Sequence, residues 1–220
     1  KLPDFTPTTF IFGAKAAPGY KRAKAIIKYI NEIADLVNND PDTKDKLEVI
    51  FVSNYNVSYG EKIYVAADVS EQISTASKEA SGTSNMKLMM NGAITLGTMD
   101  GANVEIAKFA GDDNVVTFGL SSEEVLNYYA KGGYNPWDIY NSDPRVKKVL
   151  DSLFNGPWTG DKPDRFRSIF DEIMYRNDTF FILKDFAAYV KAQEKIVALN
   201  LLTATREPNL LVTFFVHHVQ

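Results

Sequence analysis

The sequence predicts an α/β protein in which a parallel sheet is followed by a run of helices. Two short apolar runs, residues 9–13 and 47–52, have the length and composition of buried strands. Between them, apolar side chains recur at helical spacing from Ala23 to Val37, so one face of the predicted helix is apolar. A strand, a helix and a second strand in this order build parallel sheets with right-handed crossovers. We therefore expect the first part of the chain to form such a sheet.

The turns after these two strands, residues 15–20 and 53–58, are candidate ligand loops. Pro18 and Gly19 interrupt the chain in the first turn, before the helix begins. Ligands of open parallel sheets bind at the carboxyl ends of the strands, where both turns would lie. From the residues alone, ordinary loop chemistry is the simpler explanation of both turns.

Shorter elements follow, and helical patterns dominate after residue 120. Asp68 or Ser70 is a candidate cap, and Ser121 opens a helix with a capping box that Glu124 completes. The pattern predicts further strands at residues 93–97 and 114–119, and further helices at residues 61–67, 104–106, 143–154, 163–174 and 183–199.

Two groups of side chains suggest functions that the residues alone do not favour. Asp100 and Glu105 could form an acid/base pair or bind a metal. Structural roles explain them better, Asp100 as a turn and cap residue and Glu105 as a hydrogen-bond partner. Clustered aromatic side chains can form a platform for sugars, but beside helices they more often pack in a core or hinge. This cluster consists of Tyr128, Tyr129, Tyr134, Trp137 and Tyr140.

Composition excludes several functional classes. The 220 residues suffice for a sizeable core, and a formal net charge of −4 argues against a nucleic acid or an anionic membrane as partner. The absence of cysteine rules out disulfides, thiolate catalysis and cysteine metal sites. Because His217 and His218 are the only histidines, neither a histidine triad nor a metal site is expected. No signal peptide or membrane-length apolar run is present, so we expect a cytoplasmic protein.

The stretch from Glu79 to Lys87 carries the most specific chemistry. The glycine between Ser81 and Thr83 predicts a tight turn, and Thr83 or Ser84 is the predicted N-cap of a short helix. Free backbone N–H groups at a helix start favour an anion such as phosphate. Lys87 follows one turn later on the same face. A ligand with a phosphate at one end and an aldehyde at the other, such as pyridoxal phosphate, would be held at both ends.

Two interpretations of this stretch compete. The apolar residues 88–90 would desolvate the lysine and favour its neutral form, which reacts with aldehydes. Alternatively, the stretch is an ordinary capped helix start with a solvated lysine. A resemblance favours the first interpretation. Residues 79–87 and 91–106 closely resemble the pyridoxal-phosphate segment of the α-glucan phosphorylases, and residues 12–20 and 187–194 resemble the same family.

The resemblance implies a fold and a reaction. The chain would be a partial Rossmann-like sheet, followed by helices, from the carboxyl-terminal half of a GT-B type glycosyltransferase. Inorganic phosphate would cleave the terminal glucose from an α-1,4-glucan and give glucose 1-phosphate. Pyridoxal 5′-phosphate would be bound as a Schiff base on Lys87 and would relay a proton through its phosphate. A second phosphate pKa of about 6 suits that role in a chain whose histidines are poorly placed.

The resemblance also assigns roles within the motif. Lys87 and Glu79 would be catalytic, and Glu79 would also bind sugar hydroxyls. Ser81 and Gly82 would donate backbone N–H groups to the sugar. Thr83 and Ser84 would bind the cofactor phosphate. Ser84 departs from the usual glycine, which adds a hydroxyl donor or crowds the phosphate.

Two tyrosines outside the motif also match the family. Tyr20 would line an aromatic slot at the entrance of the active site, and Tyr55 would lie near the cofactor and bind it. Asn56 replaces an arginine of the animal members, so any contact made by that arginine is not expected here.

The resemblance divides the chain into three parts. Residues 1–120 would form the cofactor- and sugar-binding sheet segment, and residues 121–200 the helical part of the same domain. The resemblance ends near Asn200, and a reading-frame shift or a cloning artefact would explain residues 201–220 as an atypical tail. There Pro208 would interrupt a helix, and residues 210–216 would be an exposed, aggregation-prone strand. The start without an initiator methionine suggests a fragment.

Other parts of the family's machinery, including the arginine and lysine that bind substrate phosphate, would lie upstream. We therefore expect the fragment alone to be inactive and its parent, a homodimer in this family, to be the active enzyme, with allosteric sites mainly elsewhere. One alternative is a non-catalytic module that binds sugar phosphates or scaffolds an oligomer. Another is a pyridoxal enzyme acting on amines, for which no acidic partner of the pyridine nitrogen is evident.

Overall fold

The computed structural model describes residues 6–111, 113–203 and 211–219. In this part of the chain the centre is a six-stranded parallel sheet, which confirms the predicted α/β class. The strands are β1 (Thr8–Ala16), β2 (Leu47–Phe51), β3 (Val69–Gln72), β4 (Ile94–Gly97), β5 (Val115–Thr117) and β6 (Leu211–Val219). Their order across the sheet is β2-β1-β6-β3-β4-β5.

The helices pack on the sheet and then on one another. They are α1 (Lys21–Asn39), α2 (Val57–Tyr64), α3 (Ser84–Met90), α4 (Asn103–Ala110), α5 (Ser122–Lys131), α6 (Pro136–Ser142), α7 (Pro144–Asn155), α8 (Arg167–Met174) and α9 (Ile182–Thr203). The predicted strand–helix–strand unit is confirmed as β1, α1 and β2. Asn38 fastens the end of α1 to β2, because its amide both donates to and accepts from the backbone of Val49 at 2.9 Å.

The capping box at Ser121 is confirmed. The Ser121 hydroxyl accepts from the backbone N–H of Glu124, and the Glu124 carboxylate accepts from the backbone N–H of Ser121 at 2.8 Å. The helices predicted around residues 143–154, 163–174 and 183–199 are also present, as α7, α8 and α9. In the described residues, no helix is long and apolar enough to span a membrane.

Strand β3 was not predicted, because three of its four residues are polar. Ser70 and Glu71 are fully buried in the middle of the sheet, where neither Asp68 nor Ser70 caps a helix. Helix α9 supplies the partners of Glu71. The amide of Gln193 donates to one carboxylate oxygen at 2.6 Å, and the hydroxyl of Tyr189 donates to the other at 3.3 Å. Burial nevertheless raises the pKa of Glu71 to about 8.

The prediction of an exposed strand at residues 210–216 is wrong. Strand β6 lies in the centre of the sheet and pairs with both β1 and β3, so both of its backbone edges are hydrogen-bonded. Leu211, Thr213 and Phe214 are buried. The prediction for Pro208 falls on residues 204–210, which lie outside the described ranges.

The aromatic residues predicted as a cluster pack against neighbouring side chains, as expected, although Tyr129 is 43% exposed and the other four are partly buried. They divide into two groups. Tyr128, Tyr129 and Tyr134 surround Phe181 with ring centroids 5.3–5.5 Å apart. Trp137 packs edge-on against Tyr140 and joins the apolar cluster built by α7 and α8. Neither group forms an open platform for a sugar, because both are occupied by neighbouring side chains.

Candidate functional site

The predicted motif lies at the carboxyl end of β3, in the loop that leads into α3 and in α3 itself. The ends of β1, β2 and β4 lie at the same edge of the sheet, because all these strands are parallel. Glu79, Ser81, Thr83 and Lys87 are exposed at this edge. The structure therefore presents the motif as one continuous surface segment at the position where parallel sheets bind ligands.

The loop carrying Glu79 is held from below by the turn after β4. One carboxylate oxygen of Asp100 accepts from the backbone N–H groups of Lys78 at 2.9 Å and Glu79 at 2.7 Å. The N–H of Ala102 donates to the carbonyl oxygen of Ser81 at 2.8 Å. Asp100 thus has the structural role that we expected, but it braces a neighbouring loop instead of capping a helix. Glu105 lies exposed in the first turn of α4.

Gly101 allows the two turns to approach this closely. Its φ of +53° is in the left-handed region, and a Cβ atom there would lie 2.7 Å from the carbonyl oxygen of Ser81 and 3.1 Å from the Glu79 Cγ. Gly82 in the motif also has a left-handed φ of +81°. The tight turn predicted at residues 81–83 is wrong in detail, because no backbone hydrogen bond among the described residues closes a turn there and the chain only bends at Thr83 before α3 begins.

Two asparagines and a glutamine set the position of α3. The buried amide of Asn85 donates to the side-chain oxygen of Asn103 at 3.0 Å, and Asn103 donates to the carbonyl oxygen of Thr98 at 3.0 Å. The amide of Gln72 lies 3.2 Å from the Ser84 hydroxyl. The sequence analysis did not identify these supporting residues. Asn85, a polar residue in the first turn of the motif helix, could have indicated a buried hydrogen-bond partner there.

Thr83 occupies the predicted N-cap position, but its side chain does not cap the helix. Its exposed hydroxyl has no hydrogen-bond partner among the described residues. Ser84 is the first helical residue, and its hydroxyl is shared with Gln72. The two hydroxyls therefore differ: the Thr83 hydroxyl is available to a ligand, and the Ser84 hydroxyl is already bound.

Lys87 is exposed, so the prediction that its apolar neighbours desolvate it is wrong for this structure. Of the apolar residues that follow it, Leu88 points into the core with no exposed surface, whereas Met90 is 87% exposed. The amine of Lys87 lies 5.7 Å from the ring centroid of Tyr64. A cation over an aromatic face is attracted by the ring, which holds the amine at this edge of α3.

Tyr55 reaches the motif through Tyr64. The two hydroxyls are 3.1 Å apart, and Tyr64 in turn lies beside the Lys87 amine. Tyr55 is buried against Phe214, with ring centroids 6.1 Å apart. Burial, and then the hydrogen bond with Tyr64, raise the pKa of Tyr55, so its hydroxyl stays protonated. Sequence reasoning named Tyr55 and missed Tyr64.

Tyr20 is tied to a different part of the chain. Its hydroxyl accepts from Arg22 at 3.1 Å, and Arg22 forms an ion pair with Glu172 of α8. Its described contacts therefore lead to the helical part and not to the motif. Asn56 caps α2, because its side-chain oxygen accepts from the backbone N–H of Tyr59 at 3.1 Å. The departure from arginine at this position thus has a local structural role.

The donor set at this edge suits a ligand with a phosphate and an aldehyde. An exposed amine at Lys87 and an exposed hydroxyl at Thr83 lie one helical turn apart, and Tyr64 borders the amine. Within the described ranges, no group of three or more metal-ligating side chains could hold a metal ion.

Comparison with known proteins gives a consistent set of relatives. A family model described as "Phosphorylase: Carbohydrate phosphorylase" matches residues 1–202. Glycogen phosphorylase of Bacillus subtilis (strain 168) is 55% identical over 192 residues, which are 87% of this chain and 24% of that protein. The glycogen phosphorylase of Synechocystis sp. is 50% identical over 193 residues, covering 88% of this chain and 22% of that protein.

The human liver form of glycogen phosphorylase is 50% identical over 192 residues, covering 87% of this chain and 22% of that protein. This chain therefore spans about a quarter of the length of these relatives. The family match ends at residue 202, close to the point at which the sequence resemblance was expected to end.

Proposed function

Because the chain belongs to the carbohydrate phosphorylase family, we propose that it is the part of an α-glucan phosphorylase that binds pyridoxal phosphate and the sugar. The parent protein, a GT-B type glycosyltransferase, would transfer the terminal glucose of an α-1,4-glucan to inorganic phosphate. One observation carries this proposal. The segment from Glu79 to Lys87 displays an exposed carboxylate, hydroxyl and amine at one sheet edge, on a backbone braced by Asp100 and Asn85.

The cofactor would be held at both ends by this segment. Lys87 would hold the aldehyde end, beside Tyr64 and the Tyr55 hydroxyl behind it. The Thr83 hydroxyl and the backbone of Ser84 would hold the phosphate, because the Ser84 hydroxyl is engaged by Gln72. When bound, pyridoxal phosphate supplies a phosphate group that can exchange a proton with the substrate phosphate near neutral pH.

The sugar would lie on the neighbouring loop. The exposed carboxylate of Glu79 would accept hydrogen bonds from sugar hydroxyls, and the backbone N–H groups of Ser81 and Gly82 would donate to the sugar. Asp100 keeps this loop in place by accepting from two of its N–H groups, so Glu79 is oriented before the sugar binds. Tyr20 would contribute to the entrance of the same cleft.

Partners and cellular location follow from the family and remain part of the proposal. The parent would act on an α-glucan and phosphate or glucose 1-phosphate, as a cytoplasmic homodimer under allosteric control. Because the substrate-phosphate ligands of the family lie outside this chain, the isolated chain should not turn over maltoheptaose with phosphate. Measurable turnover by the purified chain would contradict the proposal that residues outside this chain are needed to bind substrate phosphate.

A chimera tests the proposed function. The 192 residues of this chain that align with the Bacillus subtilis relative replace the corresponding region of that protein, and release of glucose 1-phosphate from maltoheptaose is measured. We expect an active chimera that loses activity in the Lys87→Ala variant and keeps it in the Glu105→Gln variant, whose carboxylate is exposed outside the motif. A folded chimera without activity, or one that is insensitive to Lys87→Ala, would overturn the proposal.

A further inference from the structure

The strand order leaves one position between β1 and β3, and β6 fills it. β1 pairs with β2 on its other side, and β3 pairs with β4. The other five described strands lie within residues 1–202, which match the family, whereas β6 spans Leu211–Val219 beyond the match. The central strand of the sheet is thus the one strand of the described chain that the family does not share.

The longer relatives must fill the same position differently. At about 50% identity over the matched region, they share the five surrounding strands. An empty position would leave facing rows of unpaired backbone N–H and C=O groups on β1 and β3 in the middle of a sheet, which folded proteins do not tolerate. In the usual doubly wound order, the strand in this position comes first in the chain, before the equivalent of β1.

The fit of β6 is good in one place and poor in another. Phe214 is fully buried between Tyr55 and Tyr64, with ring centroids 6.1 and 6.2 Å away. The adjacent Gly13 leaves room for it, because a Cβ atom there would lie 3.1 Å from the Phe214 ring. In contrast, the hydroxyl of Thr213 is buried without a hydrogen-bond partner among the described residues. An unmade hydrogen bond at a buried position is destabilising.

We propose that the gap between β1 and β3 is a strand-exchange site, which β6 occupies as a substitute for a strand from elsewhere in the longer relatives. The partner that it fits is an apolar extended segment, parallel to β1 and long enough to match the nine residues paired there. The aromatic side chain at the position of Phe214 anchors it beneath the Tyr55–Tyr64 pair. The site is a property of the sheet and does not depend on cofactor binding.

A cleavable form of the full chain tests exchange directly. A protease recognition sequence is inserted between residues 203 and 211, and the folded protein is cut after purification. A fluorescent peptide with the sequence of residues 209–220 should then enter the cut protein with equimolar saturation, but should not enter the uncut protein. Failure of the folded, cut protein to take up the peptide, or equal uptake of a scrambled peptide, would overturn the proposal.

Two peptide variants probe the fit. A peptide with Phe214→Asp should bind roughly a hundredfold more weakly, because it places a charge in the aromatic core. A peptide with Thr213→Val should bind about tenfold more tightly, because it removes the buried hydroxyl and keeps the shape. Equal binding of Phe214→Asp would contradict the site, and weaker binding of Thr213→Val would contradict the view that β6 is a substitute.

Cysteine pairs verify the parallel register in the intact chain, which has no cysteine of its own. Thr9 pairs with Val212, so the Thr9→Cys/Val212→Cys variant should form a disulfide readily on mild oxidation. The control Thr9→Cys/Val216→Cys moves the second thiol about 13 Å along the strand and should not. A disulfide in the control but not in Thr9→Cys/Val212→Cys would overturn the proposal. A disulfide that links position 9 of one copy of the chain to position 212 of another would support strand exchange.

Discussion

Replacement of Asp100 by alanine tests whether the Glu79 loop depends on one buried carboxylate. Asp100 is 8% exposed, and its oxygen accepts from the N–H groups of Lys78 and Glu79 at 2.9 and 2.7 Å. A hydrogen bond to a charged group contributes about 1.5–3 kcal/mol. Because water can hydrogen-bond the two N–H groups once the side chain is gone, we expect the loss of both hydrogen bonds to cost about 2–3 kcal/mol in total. Asp100→Asn keeps an acceptor oxygen and should cost about 1 kcal/mol.

Hydrogen exchange at the amides of Lys78 and Glu79 measures this loss, because both groups lose their acceptor. Local opening should become about 30- to 150-fold easier in Asp100→Ala, while the free energy of global unfolding changes less. The control Glu105→Ala removes an exposed carboxylate five residues later and should leave both amides unchanged. Unchanged exchange in a folded Asp100→Ala variant would refute the bracing role of the carboxylate.

Three further predictions concern stability. Burial raises the pKa of Glu71 to about 8 from an ordinary value of 4.5, so the folded chain retains a proton that the unfolded chain releases. Its contribution is therefore full below pH 4.5 and declines by on the order of 4 kcal/mol as the pH rises to about 8, a slope that Glu71→Gln should flatten in urea denaturation. Gly101→Ala should destabilise by about 2 kcal/mol more than Gly111→Ala, since both have positive φ but only at Gly101 would the Cβ meet a backbone oxygen; equal denaturation midpoints would argue against the close approach. Ser84→Gly restores the residue usual in the family and removes the bond to Gln72, so it should cost about 1 kcal/mol in urea denaturation yet keep cofactor binding at Lys87; loss of that binding would show that the hydroxyl is needed.

Local signals in the sequence predicted the outer parts of the fold well. The apolar runs that became β1 and β2 contain enough β-branched and aromatic residues to identify a strand without tertiary information. Ser121 and Glu124 identified the start of α5, because a capping box is completed within four residues. Such elements are specified by neighbours in sequence, so one window of residues suffices.

The central strands could not be predicted in this way. Glu71 makes β3 look unlike a buried strand, and its partners Tyr189 and Gln193 come 118 and 122 residues later in the chain. The segment that forms β6 was predicted to be an exposed, aggregation-prone strand. Its neighbours in the sequence do not show that it pairs between β1 and β3. Both errors arise from pairing partners that are distant in sequence.

The sequence predicted the positions of the ligand-facing residues of the candidate site, but not the hydrogen bonds that hold the site in place. Thr83 immediately precedes α3 and Lys87 lies one turn further along the helix, as expected from helical spacing alone. The exposure of Lys87 depends on which neighbour enters the core, and Leu88 takes that place. The supporting contacts of Asn85 with Asn103 join residues 18 positions apart, and no spacing rule within the motif indicates them.

Trapping of the cofactor on a single lysine tests the central claim most directly. The purified chain is incubated with pyridoxal phosphate, reduced with borohydride, digested and analysed by mass spectrometry. We predict a pyridoxyl group on Lys87 that is lost in Lys87→Ala and retained in Lys78→Ala, a variant of an exposed lysine on the same loop. A label spread over several lysines, or concentrated on a lysine other than Lys87, would contradict the account.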